Sequence, residues 1–359
     1  MKIGMIYPDL NDLNQEKPIV DLGDNTGNLA FWYSINRLFD VERIPRNYFE
    51  VGFSLKEYDC IITTDLIWVR QHDKYEYLEK LLDDVTCPII PISVGLQSDS
   101  FDMSFKISEE AIAVLNRIQE RCVIGVRGEY TARILWNSGI RNIAVIGCPS
   151  MYMWNNPELK ISGNVETPNN ALFNYKTFYG FLSQREKHFL EYAASKNGMF
   201  VEQTELKLTK EIAADDAYYE YINNWLEKNT HMYFSIPEWL RETCLYDFSM
   251  GGRFHGNVIA LWNNIKSLFV INDSRTREMT AHFHLPAIER ECFDKEKDLK
   301  YYYDLADYSD FNALYKVRYQ EFMDFINSNG LEISKKAKPL SFAGTNEEKL
   351  CYCKNLLMK

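Results

Sequence analysis

Apolar and polar positions alternate in two different rhythms along the first 150 residues. Ile3 to Tyr7 is a short apolar run and reads as a strand, and Asn28 to Phe39 carries the spacing of a helix that opens after Asn25-Thr26-Gly27. Asp59 to Thr64 is a buried strand, Tyr75 to Asp83 is helical, and Pro88 to Val94 is again a strand. Ser108 to Glu120 reads as a helix with Ser108 at its N-cap and glutamates in its first turn. A strand at Cys122 to Val126, a helix at Glu129 to Asn137 closed by Gly139, and a strand at Asn142 to Ile146 continue the series. Strands that alternate with helices predict a parallel sheet covered on both faces.

From Pro149 to Thr167 the pattern lapses into asparagine, proline and glycine, and a second alternation follows. It has strands near Asn170 to Phe173, Met199 to Glu202 and Ser267 to Ile271. Helices are expected over Phe181 to Ser195, Tyr218 to Lys228 and Pro237 to Thr243. The expected fold class is therefore α/β, with two Rossmann-like doubly wound domains facing a cleft. The expected boundaries are 1–160 for the first domain, 161–330 for the second, and 331–359 for a tail that either returns to the first domain or stays mobile. Ligands of such sheets collect beyond the carboxyl ends of the strands.

At 359 residues, two domains of ordinary size fit better than one. The formal net charge of -11 disfavours a nucleic-acid partner, so an anionic ligand needs local basic residues. No apolar run approaches membrane-spanning length, and the first residues read as a strand rather than a signal peptide. Cys60, Cys87, Cys122 and Cys148 fall in or beside apolar segments, as thiols do in a reducing compartment. A cytoplasmic protein is expected, with the inner membrane surface as an alternative station. Cys351-Tyr352-Cys353 lacks the second pair that a zinc site needs, and no metal is expected.

The chemistry concentrates at strand-to-helix junctions. Gly251-Gly252-Arg253-Phe254-His255-Gly256-Asn257 precedes the apolar run Val258 to Trp262. Glycines allow close backbone approach, and a helix start offers unpaired N–H groups and a favourable dipole to an anion. Arg253 adds a forked cation, and His255 a group able to move a proton near neutral pH. Val126-Arg127-Gly128-Glu129 and Asn272-Asp273-Ser274-Arg275-Thr276-Arg277-Glu278 are two further arginine junctions. Together they suit a ligand with more than one anionic group. The alternative is local pairing, of Arg127 with Glu129 and of Arg275 with Asp273 or Glu278. His282 and His284 have spacing compatible with metal ligation, but no carboxylate or cysteine cluster supports them. Asn25 to Asn28 is either a ligand-binding turn or an ordinary capped turn. No Gly-x-Gly-x-x-Gly follows the first strand, and no phosphate loop ending in Gly-Lys-Ser/Thr occurs.

These junctions together resemble the polysaccharide pyruvyl transferase family over roughly Asn25 to Pro286. Gly252-Arg253-Phe254-His255-Gly256 is similar to its arginine–x–histidine turn, Asp273 to Glu278 to its strand-end segment, and Leu285-Pro286 to its close. Val126-Arg127-Gly128 with Arg133, Leu135 and Gly139-Ile140 is similar to its first arginine turn and following helix. Thr64-Asp65-Leu66-Ile67-Trp68, Gly27-Asn28 and Gly95-Leu96-Gln97 match further elements. Cys148 departs from the aspartate that many members carry. The resemblance implies a fold like that of the GT-B glycosyltransferases. It also implies transfer of pyruvate from phosphoenolpyruvate to a saccharide acceptor of a cell-surface or exopolysaccharide glycan, giving a cyclic ketal. Whether the acceptor is lipid-linked is left open, and no cofactor is implied. Arg127, Arg253 and Arg275 would hold the donor's anionic groups and His255 would act as acid/base, with Asn28, Asp65 and Gly256 as further binding candidates. A nucleotide-sugar glycosyltransferase of the same shape and a non-catalytic glycan-binding relative are the alternative readings.

Overall fold

The structure, a computed structural model, describes residues 1–98, 101–175, 182–196, 198–205 and 208–341. Phe181, where a helix is expected to begin, and the pair Cys351 and Cys353 lie outside these residues.

The first unit is built from β1 (Ile3–Ile6), α1 (Pro18–Asp21), α2 (Asn28–Phe39), β2 (Glu42–Ile44), β3 (Cys60–Thr63) and α3 (Glu76–Asp84). It continues with β4 (Ile89–Pro91), α4 (Glu109–Gln119), β5 (Ile124–Val126), α5 (Glu129–Asn137) and β6 (Ile143–Val145). Four strands pair in the order β2-β1-β3-β4, all parallel, and β5 pairs with β6. A parallel bridge between Val94 and Val126 joins the two groups, so one sheet runs through the unit. β1 and β3 are buried along their whole length, as strands covered on both faces must be. The order reverses between β1 and β3, which makes the loops after these strands one wall of a ligand crevice. Ser108 caps α4 by accepting from the Ala111 amide, as its position in the sequence predicts.

The second unit holds β7 (Ala171–Asn174), α6 (Gln184–Ser195), β8 (Met199–Val201), α7 (Lys210–Ala213), α8 (Asp216–Asn229), β9 (Thr230–His231) and α9 (Ile236–Thr243). Next come β10 (Phe248–Gly251), α10 (Phe254–Trp262), β11 (Ser267–Ile271), α11 (Ser274–Phe283) and β12 (Ala287–Glu289). Its parallel sheet runs β12-β11-β10-β7-β8-β9, which is the dinucleotide-fold strand order with its switch point between β7 and β10. The two sheets are those of the expected α/β architecture. Helix α12 (Leu299–Leu305) packs on β11, and α13 (Ser309–Ser328) lies against both α11 and β6.

The units are tied directly to each other. Thr131 donates its amide and hydroxyl to the two carboxylate oxygens of Glu278, at 2.6 and 2.9 Å. The Trp262 indole donates to the Ser150 carbonyl at 2.9 Å, and the Thr26 amide to the Gln203 carbonyl at 2.9 Å. After α13, Asn329 both accepts from the Val123 amide and donates to its carbonyl. The chain then lies along the first unit, where the Ser334 amide donates to Leu38 and the Leu340 amide to Trp154. Among the described residues no helix is long and apolar enough to cross a membrane.

Candidate active site

Helix α10 positions the arginine–x–histidine turn. Apart from His255 every residue of this helix is buried, so it is an interior helix wedged between the units. Its start is locked by two asparagines. The Asn174 side chain accepts from the Arg253 amide at 2.8 Å and donates to Asn257 at 2.9 Å. The Asn257 amide group in turn donates to the Gly251 carbonyl at 2.9 Å. Gly251 has φ +157°, and a Cβ there would stand 1.7 Å from the Asn174 carbonyl oxygen. That oxygen is backbone in the neighbouring strand and cannot step aside. Gly251→Ala is therefore expected to cost at least about 3 kcal/mol, read as a lowered denaturant midpoint; a variant as stable as the parent would refute this packing.

Arg253 lies at the cleft with its Nε–H donating to the Tyr175 carbonyl at 3.1 Å and its terminal nitrogen to Thr204 Oγ1 at 3.0 Å. Arg127 reaches the cleft from β5 and is only 4% exposed. It does not pair with Glu129: its Nε–H donates to Ser93 Oγ at 3.1 Å, and its stem crosses Gly95, where a Cβ would meet its Cδ at 2.6 Å. Burial lowers the pKa of Arg127 to about 10, which leaves it charged at neutral pH. Arg275, at the start of α11, pairs with Asp273 at 3.0 Å, yet its Nε is buried with no partner. Arg127, Arg253 and Arg275 thus meet in one cleft of about 490 Å³.

Other cleft groups carry no signature that sequence reasoning isolates. Gln203 and Asn272 line it, with their side-chain nitrogens buried without partners beside Gly256 and Gly252. Arg70, after β3, adds a fourth cation to the lining, against the carboxylates of Asp24 and Asp273. The balance of the lining is cationic and rich in donors.

His255 faces the same cleft, but the expectation that it titrates near neutral pH is corrected. Burial, then the charges of Arg127 and Arg275, push its pKa down to about 3, so the ring is neutral at pH 7. Its Nε2 lies 3.4 Å from the Cys148 thiol. Asn28 lines the cleft while its amide nitrogen donates to the Leu22 carbonyl at 2.8 Å.

Two further candidates sit elsewhere. Asp65 does not line the cleft; it accepts from Thr63 Oγ1 at 3.0 Å, and burial raises its pKa against the opposing charge of Arg46. Gly256 is buried inside α10, where a Cβ would meet Gln203 Nε2 at 2.7 Å and Asn174 at 3.0 Å. Its missing side chain makes room for protein rather than ligand. Gly128 does the same for Glu278, whose Cγ would be 2.2 Å from a Cβ. His282 and His284 part company: His282 is buried edge-on to Phe283, and His284 lies 3.4 Å from an Arg318 nitrogen. Among the described residues no group of three or more His, Cys, Asp or Glu is placed to hold a metal ion.

Solved structures similar to the chain include S. aureus MnaA with UDP, at 10% identity, covering 96% of this chain and 100% of that one with a TM-score of 0.48. Anabaena Alr3699/HepE with UDP and glucose is similar at 11% identity over 92% and 97%, with a TM-score of 0.46. The Neisseria meningitidis UDP-GlcNAc 2-epimerase bound to UDP-GlcNAc is similar at 10% identity over 100% of both chains, with a TM-score of 0.42. No curated protein matches the sequence. The family model described as polysaccharide pyruvyl transferase matches residues 9–274, which run from the loop after β1 to the first residue of α11 and include Arg127, Arg253 and His255. The chain belongs to the polysaccharide pyruvyl transferase family.

Proposed function

We propose that the protein transfers pyruvate from phosphoenolpyruvate to two hydroxyls of a saccharide, forming a cyclic ketal and releasing phosphate. The observation that carries this reading is the convergence of Arg127, Arg253 and Arg275 on one cleft. A small ligand with a phosphate and a carboxylate satisfies such a set, because forked guanidinium groups match both oxyanions.

In the reaction one acceptor hydroxyl oxygen bonds to C2 of the donor while C3 takes up a proton and becomes a methyl group. The C2–O bond to phosphate then breaks, and the second hydroxyl closes the ketal on C2. Two hydroxyl protons are released; one balances the proton added at C3 and the other leaves with phosphate. The arginines stabilise the charge that gathers on the departing phosphate. His255 delivers the C3 proton. Its ring is neutral in the free protein because it is buried and because two cations face it, and a multiply charged anion set between those cations offsets their part of the penalty. Donor binding and protonation of His255 are thereby coupled. We place the reaction in the cytoplasm, acting on a free or lipid-linked glycan.

The test is incubation of the protein with phosphoenolpyruvate and a panel of bacterial glycans, following phosphate release and the ketal methyl signal by NMR. Phosphate release that depends on a saccharide is the expected result. Turnover of a UDP-sugar instead, with no phosphoenolpyruvate binding by calorimetry, would overturn it in favour of glycosyl transfer. Binding of the glycan with neither donor consumed would mark a non-catalytic relative.

A further inference from the structure

Next to His255 a chain of polar groups runs through the first unit. Arg127 Nε–H donates to Ser93 Oγ at 3.1 Å, and the Ser93 side chain is itself hydrogen-bonded to the Cys148 thiol. Ser150 Oγ donates to Cys148 Sγ at 3.1 Å, and that sulfur lies 3.4 Å from His255 Nε2. Cys148 is fully buried, ahead of the short 3-10 turn Pro149–Tyr152. Phe31 of α2 packs on the histidine ring with centroids 5.9 Å apart, and Phe254 lies against it at 5.6 Å. A ring so enclosed holds one orientation, with Nε2 on the sulfur.

We propose that Cys148 is a positioning residue: its thiol donates to His255 Nε2, fixes the neutral ring as the Nδ1–H tautomer, and leaves Nδ1 to serve the cleft. The direction of the bond follows from the surroundings. Serine hydroxyls give their protons to the sulfur, so the sulfur's own proton is free to go to the imidazole. Burial pushes the thiol pKa up, against the opposing charge of Arg127, so a neutral thiol is the form present. The charged groups facing the histidine are Arg127 from β5 and Arg275 from α11, both cations, and they disfavour an imidazolium ring. When the ring is protonated the added proton lands on Nε2, whose N–H then donates to the sulfur, and Nδ1–H is the proton given to substrate. A carboxylate at position 148 would behave differently. It accepts from Nε2–H and favours the cationic ring, so the thiol keeps His255 neutral until an anion arrives.

The mechanistic consequence rests on the pyruvyl-transfer reading above, but the tautomer is measured without turnover. Long-range proton–nitrogen NMR of the uniformly labelled full chain, with His255 assigned by difference from His255→Gln, is expected to show a protonated Nδ1 and an unprotonated Nε2 at pH 7. Cys148→Ser should preserve that pattern. Cys148→Ala should lose the preference for Nδ1–H, and Cys148→Asp should place the proton on Nε2 and move the ring's titration midpoint upward. A parent protein protonated on Nε2, or an alanine variant that keeps Nδ1–H, would overturn the proposal. If the alanine variant does not fold, the serine and aspartate variants carry the comparison, and identical tautomers in the two would overturn it. In the transfer assay Cys148→Ala should lower kcat about tenfold or more with donor KM unchanged, the size expected when a supporting hydrogen bond is lost. Absence of transfer in every variant would strike the proposed reaction and leave the tautomer result standing.

Discussion

Phosphoenolpyruvate binding at pH 7 is expected to draw a fraction of a proton from solution, and His255→Gln is expected to abolish that uptake while lowering kcat by about 10²–10⁴. The sign follows from the pKa of about 3 that burial and the two arginines impose on the free ring. At neutral pH the free ring carries no charge. An anion between Arg127 and Arg275 screens both, the bound-state pKa rises, and binding takes up that fraction of a proton. Affinity for the donor therefore weakens as pH rises, and in the glutamine variant that slope flattens. Calorimetry in two buffers of different ionisation enthalpy measures the uptake directly. Equal apparent enthalpies in both buffers for the parent protein, or turnover by the variant at the parental rate, would remove His255 from the proton transfer.

Arg253→Lys is expected to lower kcat/KM for the donor by about 10- to 100-fold, the cost of one to two charged hydrogen bonds. The guanidinium is held by the Tyr175 carbonyl and the Thr204 hydroxyl, and Thr204 Oγ1 donates onward to Glu202 at 3.0 Å. A lysine ammonium cannot meet both partners and still present a planar fork to an oxyanion. Behind it, burial raises the pKa of Glu202 while Arg253 opposes that rise, so moving the cation also encourages a proton onto the glutamate. The variant should melt near the parent temperature, because the backbone bond from the Arg253 amide to Asn174 is unaffected. An unchanged donor KM would count against the clamp.

Strand and helix positions were legible wherever a buried face imposes a rhythm. The helices Asn28–Phe39 and Glu129–Asn137 and the strand Ser267–Ile271 fall where the pattern puts them. The three arginine junctions were legible too, since a cation beside glycine at a strand end is unusual in an acidic chain. What the glycines are for was not legible. Gly95, Gly128 and Gly256 stand in the candidate turns, yet each leaves space for a side chain arriving from elsewhere in the chain: Arg127, Glu278, and Gln203 with Asn174. Gln203 and Asn272 were invisible because an amide gains meaning only from what fails to reach it. The protonation of His255 was hidden for a related reason, as it is set by burial in the fold and then by charges from residues 127 and 275.

Helix α13 touches β6 of the first unit and α11 of the second, and α11 also meets α5. The arginines that face His255 leave β5, the partner strand of β6, and the first turn of α11. The helix therefore works as a brace that holds two like charges near one another before any ligand is present. Asp273 and Glu278 offset part of the repulsion between them, and the helix adds apolar packing through Phe322, Phe325 and Ile326. An arriving anion then meets a field already assembled, and spends none of its binding energy on gathering the cations.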